Sequence, residues 1–195
     1  DKISDDQLEM LITQIKDSSS SLLNMVNDIL DVSKVEAGKF EIEKEDCDIN
    51  SILKEECAYY NSLAEVEGVE LKIDLQGDIP LFKCDPDRIK QVLNNLISNS
   101  LKFTQEGGEI KVVSRRTDHE VIISVCDTGV GIPEKEKPKL FHKFVQVDNH
   151  RDIHGKGTGL GLVISKAIVE AHGGRIWVKD NVPEGACFEF SLPME

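Results

Sequence analysis

Apolar residues at Leu8, Ile12, Ile15, Leu22, Val26 and Ile29, with Ser19 and Ser33 keeping the register, step by fours and threes along the start of the chain. A step averaging about 3.5 residues is the seam of a coiled coil or helix hairpin, and it predicts one long helix over 5–36. Leu23, Met25 and Leu30 widen the apolar face beyond what a two-stranded coil needs, so packing among four helices would suit it. An amphipathic helix folded onto its own domain satisfies the same pattern. Ala37-Gly38 marks the helix stop, after which KFEIEKEDCDI alternates as a strand does. Residues 1–48 hold 13 acidic and 5 basic side chains, a net of −8 out of the chain's −13, so this segment presents a different surface from the rest.

At 195 residues the chain is long enough for one domain and a substantial extra element. Its 39% hydrophobic content builds a core, and no apolar run reaches membrane-spanning length. The acidic balance disfavours nucleic acid, because phosphate neutralisation needs clustered Lys and Arg. The five cysteines (47, 57, 84, 126 and 187) form no CxxC pair and their number is odd. That argues against a disulfide framework or zinc site and for a reducing, cytoplasmic setting. The opening DKISDDQ lacks the basic-then-apolar pattern of a signal peptide.

Beyond Asp48 the elements are mixed. INSILKEECAYYNSLAEVEG reads as a helix closed by Gly68, VELKIDL as a strand, and DPDRIKQVLNNLISNSLKFT as a second helix with Pro86 in its first turn. EIKVVSRRT and EVIISVCDT read as strands paired around Asp118-His119. GLGLVISKAIVEAHGG reads as a third helix, and RIWVKD and ACFEFSLP as closing strands. About five strands in mostly antiparallel hairpins with several helices predict an α/β class, a two-layer sandwich with a mixed, mostly antiparallel sheet preceded by one long helix. The charged, aperiodic stretch 133–158 has the length of a functional lid.

Three segments carry candidate chemistry. In the helix over 88–103, Ile89, Val92, Leu93, Leu96, Ile97 and Leu101 cover most of the circumference and leave one strip of Gln91, Asn95, Asn99 and Lys102. Two Asn in register oppose helix propensity, and an amide oxygen suits a Mg²⁺ already carrying phosphate, with Lys102 beside it as counter-charge. The strip also reads as a solvated polar face. Next, DTGVGIP follows an apolar strand, so Asp127 can accept from a base amino group while glycines let backbone approach a flat ring. It also reads as a plain turn. Last, GKGTGLGL opens a helix and exposes N–H groups to a phosphate, or is only a flexible loop. No P-loop or GxGxxG register fits it.

In this order, the Asn helix, Asp-Gly strand end, lid and glycine-rich helix start resemble the Bergerat-type ATP-binding fold of sensor histidine kinases, gyrase, the heat-shock chaperone ATPases and MutL. Histidine kinases, especially hybrid ones, are the nearest pattern. DPDRIKQVLNNLISNSLKFT is similar to their N box, LFHKFVQVD at 140–148 to their phenylalanine-containing box, and GTGLGLVISKAIVEAHGG to their second glycine box. LLNMVNDILDVSKVEAGKFEIE resembles the end of their dimerisation helix hairpin. The resemblance implies ATP and Mg²⁺ as cofactors, Asn95 and Asn99 holding the metal and phosphates, and Lys102 and Phe103 lining the nucleotide. It implies Asp127 on the adenine amino group with Gly129, Gly131 and Ile132 by the ring. Lys156, Gly157, Thr158, Gly159, Leu160 and Gly161 would shape the phosphate end of the lid, which Phe141 and Phe144 would pin to the body. Gln91 stands where hydrolytic relatives have a water-activating acid, which favours transfer to a protein acceptor.

The chain departs from the family at two places. Ala186-Cys187 stands where members usually carry Ser or Thr near the adenine. The acceptor His with its acidic, Arg-Thr-Pro sequel is absent; the five histidines are His119, His142, His150, His154 and His172, and His172 before Gly-Gly reads as a helix-terminal cation. The resemblance therefore implies residues 1–38 as the second helix of a dimerisation and histidine-phosphotransfer hairpin and 39–195 as the catalytic ATP-binding domain. Its partners would be a phosphoacceptor-histidine helix, a response-regulator receiver domain and, in the intact protein, a second copy. The fragment would bind ATP without phosphorylating itself. A degenerate ATP-independent scaffold and a gyrase- or MutL-like ATPase are the alternatives.

Overall fold

The structure is a computed structural model that describes residues 5–145 and 158–194. Two compact units divide between Lys39 and Phe40. The first contains helix α1 (Asp5–Glu36), which runs over the span its heptad seam predicts. It closes on Gly38, whose φ of +64° suits a residue without Cβ; Gly38 N–H bonds the Val35 carbonyl and Lys39 N–H that of Lys34, satisfying the last orphan acceptors. Along α1 the seam side chains Ile12, Ile15, Leu22, Val26 and Ile29 are exposed.

The second unit begins with β1 (Glu45–Cys47) and α2 (Ile49–Val66), followed by β2 (Glu70–Leu75), β3 (Phe82–Cys84) and α3 (Pro86–Phe103). The hairpin β4 (Glu109–Arg116) and β5 (Glu120–Asp127) leads to a 3-10 turn at Lys137–Lys139, then α4 (Gly161–Ala171), β6 (Arg175–Asp180) and β7 (Ala186–Pro193). A five-stranded sheet has the order β2-β4-β5-β7-β6, antiparallel except for the β2–β4 pair. The expected strand after Gly38 shrinks to the three residues of β1, which pairs with β3, a strand too short to show any periodicity in the sequence.

Period-two alternation decides the layers. Ile110, Val112, Val121, Ile123, Val125, Phe188 and Phe190 are buried on one sheet face, against Leu53 of α2, Leu93 and Leu96 of α3 and Ile164 and Ile168 of α4. Each such side chain contributes about 1.5–3 kcal/mol. The opposite face carries ion pairs, Lys72 with Glu109 and Asp74 with Lys111 and Arg115, whose partners are 37–49% exposed. Exposed pairs contribute about 0–1 kcal/mol each, so the apolar layer under the helices holds the sandwich.

On that opposite face Cys126 and Cys187 are joined by a disulfide, Cα atoms 3.9 Å apart, contrary to the expectation drawn from an odd count without CxxC. They stand directly across from each other in the β5–β7 register, which spacing in sequence does not reveal. Cys47, Cys57 and Cys84 are free and buried.

Candidate nucleotide site

α3 is the spine of the site. Asp85 caps it, its Oδ1 accepting from Arg88 N–H at 3.1 Å, while Pro86 supplies the first helical φ. Ile89, Val92, Leu93, Leu96 and Ile97 go into the core, and this turns Gln91, Asn95, Asn99 and Lys102 away from it; all four are half-buried. Ser100, not Leu101, completes the buried face.

Asp127 ends β5 with only 4% of its surface exposed. Its Oδ1 accepts from Gly129 N–H at 3.0 Å and Ala186 N–H at 3.2 Å, and its Oδ2 from the Ser100 hydroxyl at 3.2 Å. Its own carbonyl accepts from the Asn181 amide at 2.8 Å. Burial pushes the Asp127 pKa above its ordinary value, and the three hydrogen bonds pull it back only in part. The result is a desolvated acceptor held in one orientation. Gly129 is required by contact: a Cβ there would lie 2.5 Å from the Phe103 carbonyl oxygen, where the end of β5 meets the end of α3.

Asn95 serves the other end of the strip. Its amide nitrogen donates to the Gly161 carbonyl at 3.1 Å and to Ser165 Oγ at 3.3 Å, so α3 grips the first turn of α4. That leaves the Asn95 oxygen as its group available to a cation, with Asn99 one turn further along. The residues present fit a magnesium-nucleotide in kind: neutral hard oxygens and a Lys on one strip, and a buried carboxylate at its end. Over the eight steps from Asn95 to Phe103 the helix rises about 12 Å.

Of the other expected residues, Gly131 and Ile132 are half-buried just past Asp127. Lys102 stacks its ammonium 5.6 Å from the Phe103 ring centre. Thr158 accepts from Leu160 N–H through its hydroxyl, Leu160 is buried, and Gly161 starts α4. Lys156, Gly157, His150 and His154 lie outside the described residues. The Phe144 ring is 71% exposed, its backbone N–H bonds the Gly159 carbonyl, and Leu140 nearby is buried. Lys137, paired with Asp180 at 2.8 Å, ties the segment to the end of β6.

His172 also corrects the sequence reading. It is buried, its Nδ1 bonds the Ile168 carbonyl at 2.8 Å, and its Nε2 accepts from Asp85 N–H at 2.9 Å, which fixes a neutral ring between the end of α4 and the cap of α3. Burial pushes its pKa below the ordinary 6.5. A depressed pKa means that the unfolded chain binds the proton first, so this stabilisation is full above about 6.5 and is lost as pH falls through the folded value. Melting curves from about pH 7.5 to about pH 5 should therefore decline more steeply for the unaltered chain than for His172→Gln. Parallel declines would refute the neutral-ring bridge.

Sequence reasoning missed Ser100, Ala186 N–H and Asn181 as partners of Asp127. A signal existed for Ser100, which falls three and four residues after Ile97 and Leu96 on the core face, where a hydroxyl needs a partner.

Residues 84–195, more than half of the chain, match the family of histidine kinase-, DNA gyrase B-, and HSP90-like ATPases. The chain belongs to that family. Within this ATPase family its relatives are sensor histidine kinases of two-component signalling. It is 38% identical to the circadian input-output histidine kinase CikA of Synechococcus elongatus over 184 residues, 93% of this chain and 24% of that protein. Full-length ShkA, solved in complex with AMPPNP, aligns at a TM-score of 0.84 and 29% identity, covering 100% of this chain and 40% of that one. The histidine kinase ThkA, solved in complex with the response regulator protein TrrA, aligns at 0.77 and 28% identity, covering 98% and 53%. The chain thus spans between 24% and 53% of the lengths of these kinases. Its second unit is the ATP-binding catalytic domain of the histidine-kinase type, and among the described residues no helix is long and apolar enough to cross a membrane.

Proposed function

We propose that this chain binds Mg·ATP along α3 and, in the intact protein, presents the γ-phosphoryl group to a histidine of a dimerisation hairpin for relay to a response regulator. The observation that carries this reading is the buried Asp127 carboxylate, oriented by three donors at one end of the helix whose Asn95–Asn99 strip meets the glycine-rich start of α4. Asp127 takes the adenine amino group, with Gly129, Gly131, Ile132 and Phe103 around the base. Asn95 and Asn99 supply oxygen ligands to Mg²⁺, and Lys102 with residues 156–161 faces the phosphates. Bound Mg²⁺ supplies charge neutralisation on the phosphoryl oxygens. The protein's share is positioning, because Gln91, bonded to Arg88 at 2.8 Å, is no base for water. Support for the ligand comes from ShkA, whose structure contains AMPPNP, and for the regulator from ThkA, whose structure contains TrrA.

Residues 1–38 act in this reading as the second helix of the hairpin, pairing through the exposed seam with a first helix and with a second copy. The acceptor is not on α1, which contains no histidine, so this chain binds the nucleotide without phosphorylating itself. Calorimetric titration with a non-hydrolysable ATP analogue tests the reading. One-to-one binding that strengthens when Mg²⁺ is added is expected. Well-folded protein that binds nothing would leave a scaffold role instead.

A further inference from the structure

The Asp127 carboxylate has about four lone-pair positions. Two on Oδ1 are taken by the backbone N–H groups of Gly129 and Ala186, and one on Oδ2 by the Ser100 hydroxyl. Oδ2 is therefore the oxygen with a position to spare, and the Ser100 hydroxyl is its one anchor among the described residues. A helical Ser ordinarily turns its hydroxyl back to the carbonyl four residues earlier. Ser100 instead reaches across to β5, with 2% of its surface exposed.

Across the sheet the position that could do the same work holds a methyl. Cys126 pairs with Cys187, so one step further Ala186 stands opposite Asp127, with its side chain on the same face. Ala186 is buried and contributes only its N–H. The hydroxyl that completes the carboxylate comes from α3 and not from β7.

We propose that Ser100 is a positioning residue for base recognition: its hydroxyl fixes the torsion of the Asp127 carboxylate so that Oδ2 points its remaining lone pair at an exocyclic amino group of a purine. The inference rests on Asp127 being the adenine anchor. Without the hydroxyl, Oδ2 is held only through the bonds to Oδ1, and discrimination by the amino group weakens while the rest of the nucleotide contacts persist.

The test compares ATP with purine riboside triphosphate, which lacks the 6-amino group, by titration of the full chain. The unaltered protein should favour ATP by about tenfold or more, the scale of a hydrogen bond to a charged group. Ser100→Ala should cut that ratio by about five- to tenfold through loss of ATP affinity alone, leaving the deaminated analogue unchanged. Ser100→Cys, which keeps the volume with a weak donor, should fall to a similar level and guards against a packing effect. Adding Ala186→Ser to Ser100→Ala should restore most of the ratio, because it places a hydroxyl opposite the same carboxylate. An unchanged ratio in both Ser100 variants overturns the inference and leaves the nucleotide site standing. Equal affinity of the unaltered chain for the two nucleotides overturns both the adenine anchor and the role of Ser100.

Discussion

Asp127→Asn should weaken binding of an ATP analogue by about a hundredfold or more while the chain stays folded, because losing one partner of a buried charged hydrogen bond costs about 2–5 kcal/mol. The variant amide can still accept from Gly129 and Ala186 through its oxygen. Its NH₂ then occupies the Oδ2 position; the Ser100 hydroxyl can turn to accept from it, but the incoming amino group cannot, and there donor meets donor. Folding survives because burying the ionised carboxylate opposes the fold. Burial raises the Asp127 pKa above its ordinary value, and a raised carboxylate contributes stability below its unfolded pKa of 3.8 that is lost as pH rises through the folded value. At neutral pH the ionised group is thus a cost to the fold, and a neutral amide relieves it. Calorimetry with a melting curve on the same sample checks both halves; unchanged affinity would remove Asp127 from the site.

Gly185→Ala should be strongly destabilising, because it combines a backbone clash with a left-handed φ. Gly185 sits at φ +121°, and a Cβ there would overlap the Asp127 carbonyl oxygen. Its own carbonyl accepts from Asn181 N–H at 3.1 Å, which closes the β6–β7 connection. Backbone must therefore move at the end of β5, and the carboxylate moves with it. Strain of this kind costs about 3 kcal/mol or more, about 6–12 °C in melting temperature for a chain of this size. Gly77→Ala is the matched control, since a Cβ at Gly77 meets nothing within 4 Å and φ there is ordinary. Equal melting temperatures for the two variants would contradict the packing at Gly185.

The sequence made the long elements legible because each repeats its period often enough. The heptads of α1 run through nearly its whole length, and the apolar set of α3 leaves one polar strip at helical spacing. Caps sharpened the ends, Asp85-Pro86 before α3 and Gly173 after α4. What stayed hidden depends on contacts between distant residues. β3 has three residues and gains its meaning only from β1. Cys126 and Cys187, separated by 61 positions, meet through the β5–β7 register, which joins strands distant in sequence. His172 looks like a charged helix end until Asp85 N–H, 87 residues earlier, is seen on its Nε2. In the site, Asp127, Asn95 and Asn99 were recognisable because they contradict their surroundings: a carboxylate after an apolar strand and Asn inside a helix. Ser100 contradicts its surroundings too, but a small hydroxyl on a core face is a weaker anomaly than a charge.

Amide-resolved NMR of the chain, titrated with a non-hydrolysable ATP analogue and Mg²⁺, tests the central claim most directly. The account predicts saturable changes concentrated at Ser100 to Phe103, Asp127 to Gly131 and Gly161, joined by Asn95 and Asn99 when the metal is added. Binding that left those amides untouched, or no binding by a folded chain, would contradict it.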